Sequence, residues 1–99
     1  MVNPNIVQQQ LESNIVFGLT ALLYGDITLK DGRVQQTNFD TYKLLRINEM
    51  PKIDMHIVKS TEKPGGIGEP GMALISPAVA NAVFTLTGKR LRQMPLRVA

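Results

Sequence analysis

Between Pro4 and Tyr24 the apolar residues recur at helical spacing. Val7, Leu11, Ile15, Gly18 and Leu22 fall on one face of a helical wheel, and Gln8, Gln9 and Glu12 fall on the other. Asn3-Pro4 supplies the start, because the Asn side chain accepts from a free N–H of the first turn and proline sits where no N–H is required. Two departures from the amphipathic pattern are informative. Gln10 and Asn14, one turn apart, stand among the apolar positions, and Val16, Leu19 and Leu23 extend apolar character around the side that should face water. A helix of this kind wants protein on more than one side.

Residues 26–30 and 33–39 flank Asp31-Gly32, a pair suited to the positive φ angles of a two-residue hairpin loop. In that register Leu29 faces Val34, Thr28 faces Gln35, and Lys30 meets Arg33 in a mild repulsion. Residues 40–51 read as a loop with a helical turn, closed by Pro51. Ile53, Met55 and Ile57 then alternate with Asp54 and His56, the pattern of a half-buried strand with His56 on its polar face. Past the segment KPGGIGEPG, Met72 to Thr87 is expected to be helical, with Ser76-Pro77 in its first turn and Gly88 as its stop. This helix carries no charge and is apolar on every face. The expected architecture is α+β, a single domain over residues 1–99 in the order helix, β-hairpin, strand, buried helix (α-β-β-β-α). Three short strands cannot cover two such helices, so the chain either oligomerises through them or is one piece of a larger globule.

At 99 residues, 43% apolar and 19% charged, there is room for one domain. The absence of cysteine removes thiolate nucleophiles, cysteine-held zinc and cysteine-ligated iron–sulfur clusters from this stretch, and a single histidine, His56, rules out a multi-histidine metal site. No metal ligands are therefore expected. Of the 11 basic residues, Lys89, Arg90, Arg92 and Arg97 cluster near the end without an acid, leaving seven against eight acids in the remainder. The body is near neutral, and the basic end reads as a solvated helix terminus rather than a nucleic-acid tail. Neither nucleic acid nor a membrane is an expected partner, since the uncharged run is interrupted by Ser76, Pro77, Asn81, Thr85 and Thr87. The opening MVNPNIVQQQ has neither the cationic start nor the apolar block of a secretory signal. Cytoplasm and periplasm both remain open.

The run from Gly66 to Gly71 matches G-x-G-x-x-G literally, but no Asp or Glu follows Glu69 to hold a ribose, so dinucleotide binding is not expected. Glu69 itself is more telling. The proline after it biases it toward extended backbone, and the glycines before it let a large group approach the main chain and use its N–H donors. With an uncharged helix starting just beyond, Glu69 is placed to act as a desolvated general base.

VNPNIVQQQLESNIVFGLTALLYGDITLKDGRVQQTNF, then LLRINEMPKIDMHIV, then PGGIGEPGMALISPAVANAVFTLTGKRLRQMPL resemble, in unbroken order, the C-terminal part of the molybdenum-binding large subunit of the xanthine dehydrogenase and aldehyde oxidase family. Within that family the chain resembles the branch of the isoquinoline 1-oxidoreductase beta subunit. The resemblance implies an oxidative hydroxylation of an aldehyde or an N-heterocycle at a molybdenum–pyranopterin cofactor, with Glu69 as the catalytic base. It places Gly65, Gly66, Ile67, Gly68 and Gln10 against the cofactor. It also implies partners, namely the remainder of the large subunit and an iron–sulfur subunit, and a chain that is inert and does not hold the cofactor when isolated. The alternative is a non-catalytic oligomerising module that keeps the fold. Ser13-Asn14 stands where the family pattern has two glycines, which points to a less close approach of the helix to the cofactor.

Overall fold

In the computed structural model, which describes residues 1–98, α1 spans Pro4–Tyr24, β1 Leu29–Lys30, β2 Arg33–Val34 and α2 Pro70–Thr87, with one 3-10 turn at Ile47–Glu49. The start of α1 is as the sequence predicts: the Asn3 side chain accepts the Ile6 N–H at 3.1 Å. α2 ends as expected on Gly88, whose φ of 70° is the left-handed conformation that glycine adopts without steric penalty. Its start is two residues earlier than predicted. Pro70 occupies the first turn, and Pro77 lies inside the helix, where its missing N–H leaves one helical bond unmade.

The two helices pack on each other and form the centre of the molecule. They approach closely at Gly18, where a methyl group would stand 2.9 Å from the Ile75 Cβ and 3.1 Å from the Met72 carbonyl oxygen. Nothing larger than glycine fits there without moving α2. Leu22, just below, is 1% exposed and is the single buried large apolar side chain among the described residues.

The last turns of α1 gather the rest of the chain. Thr20 donates to the Val16 carbonyl and accepts the Leu45 N–H at 3.1 Å, fixing the loop ahead of the 3-10 turn. The Tyr24 hydroxyl donates to the Glu49 carboxylate, which also accepts the Arg46 N–H at 2.9 Å. The tail returns to the same end of the helix, with the Leu96 N–H on the Leu22 carbonyl at 2.7 Å and Arg97 paired with Asp26 at 3.1 Å. Arg90 lies over the Phe84 ring, 3.6 Å from its centroid. Two of the clustered arginines thus have partners within the fold, beyond the solvated terminus expected of them.

The hairpin has the predicted register, Leu29 opposite Val34 and Lys30 opposite Arg33, around Asp31 and Gly32 at positive φ. Its strands are two residues each, shorter than the expected 26–30 and 33–39. The reason lies in the side chains: the Gln35 N–H still donates to the Thr28 carbonyl at 2.9 Å, but the Thr28 N–H goes to the Gln36 Oε1 at 2.8 Å, so a side chain takes the return bond of the ladder. The strand expected at 53–57 does not form. Ile53 and Met55 are half-buried and Asp54 and His56 exposed, so the alternation survives over those four residues, but no described strand runs alongside to take its backbone hydrogen bonds.

The buried helix is a second correction. No residue of α2 is buried, and Leu74 and Leu86 on its outer side are 67% and 85% exposed, because α1 covers one side and no other described helix or strand reaches the other. α2 is also long and apolar enough, by length and composition, to cross a membrane. The radius of gyration is 16.5 Å, against about 13 Å for a closed domain of this length. The chain therefore does not close a core of its own.

Replacing Gly18 with leucine is expected to force the helices apart and to lower stability by about 1–3 kcal/mol, read as a fall in the midpoint of thermal or urea unfolding. The Tyr24–Glu49 bond gives a pH signature. Its hydrogen bond to Tyr24, with the Arg46 N–H assisting, holds the Glu49 carboxyl below its ordinary value, while the same bond raises Tyr24 above its own. The lowered Glu49 value means that its contribution is present above about pH 4 and is lost as pH falls through the folded-state value. The raised Tyr24 value means that its contribution is present below about pH 10 and is lost as pH rises through the folded-state value. Tyr24→Phe should flatten both limbs of an unfolding-versus-pH curve.

Candidate functional site

The two polar exceptions on the apolar face of α1 reach the same short segment. Gln10 donates from Nε2 to the Gly68 carbonyl at 2.6 Å, and Asn14, one turn later, donates from Nδ2 to the Ile67 carbonyl at 3.3 Å. Asn14 is 4% exposed and reaches its partner because Gly71 lies against it: a methyl group on Gly71 would come 3.2 Å from the Asn14 Cβ. Two consecutive carbonyls just before Glu69 are thereby held to α1.

A trans peptide points its carbonyl and its N–H in opposite directions. Fixing the Ile67 and Gly68 carbonyls on α1 therefore turns the N–H groups of Gly68 and Glu69 away from it. None of the N–H groups of Gly65, Gly66, Ile67, Gly68 or Glu69 donates to a described protein acceptor. At Gly65, Gly66 and Gly68 an added Cβ would meet no atom within 4 Å. The segment thus offers a row of N–H groups that no described acceptor uses, with open space where side chains would stand at its three glycines, which suits a ligand rich in acceptor atoms.

Glu69 is the residue before α2, with φ −134° and no side-chain capping bond. Its carboxylate is exposed and makes no ion pair with a described residue, so the shelter expected from α2 is not supplied within this chain. It stands at the rim of a concavity of about 550 Å³ lined by Gly18, Ala21, Pro70, Met72, Ala73 and Ser76. Here the small residues at the helix crossing leave space beside the acid. An apolar groove of about 800 Å³ is lined by Val2 ahead of α1, Ile6 and Val7 of its first turn, and Ile57, Val58, Pro64 and Ile67.

The structure brings all the sequence-predicted site residues, Gln10, Gly65, Gly66, Ile67, Gly68 and Glu69, to one end of the helix pair. Asn14 joins them. Its polarity on an apolar face marked it, and in the structure that polarity is used on the Ile67 carbonyl. His56 stays in an exposed extended segment and takes no part. Among the described residues no group of His, Cys, Asp or Glu could hold a metal ion.

Residues 1–51 match the molybdopterin cofactor-binding domain family. The chain is 39% identical, over all 99 of its residues, to a membrane-bound aldehyde dehydrogenase (pyrroloquinoline-quinone) of Gluconacetobacter polyoxogenes, and covers 13% of that protein. It is 34% identical over its whole length to the beta subunit of isoquinoline 1-oxidoreductase from Brevundimonas diminuta, again covering 13%. Against a nicotinate dehydrogenase subunit of Pseudomonas putida it is 32% identical over 97 residues, covering 97% of the chain and 8% of the relative. The chain thus spans 13% or less of the length of these relatives. It belongs to the molybdopterin cofactor-binding domain family, and corresponds to a fragment of a molybdenum-binding subunit.

Gln10→Leu removes the donor to Gly68 while keeping the helix. The expected result is a shifted Gly68 carbonyl carbon resonance and altered amide signals for Gly68 and Glu69, with the signals of α2 beyond its first turn unchanged in the two-dimensional NMR spectrum.

Proposed function

We propose that this chain supplies the catalytic base and part of the cofactor cradle of a molybdenum-dependent oxidoreductase that hydroxylates aldehydes or N-heterocycles. The observation that carries the reading is the double clamp of Gln10 and Asn14 on the Gly68 and Ile67 carbonyls. It leaves a row of N–H donors without a described acceptor, running directly into an acid that no described cation pairs with. The relatives' activities on aldehydes, isoquinoline and nicotinate support the substrate class.

The residues fit a molybdenum–pterin group in the chemistry that they offer. Gly65, Gly66, Ile67 and Gly68 present amide donors that no described acceptor uses, three of them on residues without a side chain, and the Gln10 amide stands at their edge. Bound there, the cofactor supplies the two-electron oxidation. This chain's own contribution is positional and protonic. The free N–H groups bind and orient acceptor atoms, and a Glu69 carboxylate oxygen takes the proton from the hydroxyl that attacks the electrophilic substrate carbon. Excluding water from Glu69 falls to parts of the large subunit outside this chain, because here the carboxylate stands open. The same incompleteness underlies the proposals that the isolated chain is inert and that it works with the remainder of the large subunit and an iron–sulfur subunit.

In the complete enzyme, Glu69→Gln is expected to lower turnover by about 10²–10⁴-fold while leaving molybdenum and pterin content unchanged. Activity retained in that variant removes Glu69 from the base role. The purified 99-residue chain, given an aldehyde or isoquinoline and an artificial electron acceptor, is expected to show no turnover. The uncovered outer side of α2 favours one other reading, a self-associating module without chemistry. Sedimentation separates the two, since that reading requires a stable homodimer and the present one does not.

A further inference from the structure

We infer that Asn14 is a positioning residue for the Gly65–Glu69 segment, acting on the acid through the backbone rather than by touching substrate or cofactor. The inference rests on the reading of Glu69 and its donor row given above. Three observations point the same way. The side chain is polar and 4% exposed on a helix face that, Gln10 apart, is built of apolar and small residues. Its one described hydrogen bond is made not within its own helix but to the Ile67 carbonyl, 53 positions away. The chain accommodates it specifically: Gly71, two residues after Glu69, presents no side chain where the Asn14 Cβ, Cγ and Nδ2 lie within 3.6 Å of an added Cβ.

The consequence follows from peptide geometry. One clamp, Gln10 on Gly68, would leave the peptide before it free to rotate. A second, on the adjacent carbonyl, fixes both peptide planes and so sets the direction in which the N–H groups of Gly68 and Glu69 point. Asn14 and Gly71 also tie the acid from both sides, one before it through Ile67 and one after it through the first turn of α2.

The test compares Asn14→Asp, which keeps the shape and loses the donor, and Asn14→Leu, which keeps the approximate size and loses all polarity, with the wild-type 99-residue chain. Backbone ¹⁵N relaxation is expected to give order parameters for residues 66–69 near the rigid value of about 0.85 in the wild type, falling below about 0.6 in both variants while α1 and α2 keep theirs. Unchanged values at 66–69 in either variant overturn the inference. So does a loss spread over both helices in both variants, which makes Asn14 a residue of the fold and nothing more. In the complete enzyme the expected companion effect is a fall in kcat of about 10- to 100-fold with KM and cofactor content little changed. The relaxation measurement needs no turnover, so positioning by Asn14 is decided separately from the base role, which Glu69→Gln decides.

Discussion

At Gly18 the backbones of α1 and α2 approach so closely that one added methyl group would collide with Ile75 and with the Met72 carbonyl. That contact fixes where α2 begins relative to α1, and the site inherits its geometry from it. With the helices in contact at Gly18, Asn14 and Gln10, one and two turns earlier on the same stripe of α1, come level with Gly71 and with the segment leading into α2. Two amide groups spaced by one turn meet two consecutive carbonyls, and the peptide planes that carry them are restrained in the direction they face. Burial of an amide such as that of Asn14 is tolerated because it is satisfied by a hydrogen bond. Polar residues among apolar ones are here a means of holding a loop rather than a flaw in a core.

The molecule is built around this junction and finished nowhere else. Leu22 is fully buried, yet the outer side of α2, the hairpin and the extended segment after Pro51 are left open. A closed domain of this length would be more compact. The family supplies the physical reason: the chain covers 13% or less of its relatives, so the surfaces that read as core in the sequence find no second layer within these residues. The apolar groove beside the first turns of α1 has the same character.

Elements whose causes are local were legible in the sequence. The Asn3 cap, the left-handed Gly88 and the Asp31-Gly32 turn each rest on one or two residues and occur where those residues put them. Elements that need a distant partner were not. Ile53, Met55 and His56 keep the alternation of a strand but have no neighbour to pair with, and α2 has the composition of a buried helix without the protein that would bury it. Within the site, Gln10 and Glu69 were readable from their chemistry and from family resemblance. Asn14 was visible as an anomaly on the wheel, but its bond to Ile67 spans 53 positions and depends on the absence of a side chain at Gly71, which no local pattern records.

A crystal structure of the complete molybdenum-binding subunit with its cofactor in place tests the central claim most directly. The account predicts that the Gln10 and Asn14 amides still hold the Gly68 and Ile67 carbonyls, that the N–H groups of the 65–69 segment lie within hydrogen-bond distance of cofactor or its ligands, and that the Glu69 carboxylate faces the reacting centre. A cofactor seated away from this segment, or the two carbonyls released from α1 in the assembled enzyme, would contradict it.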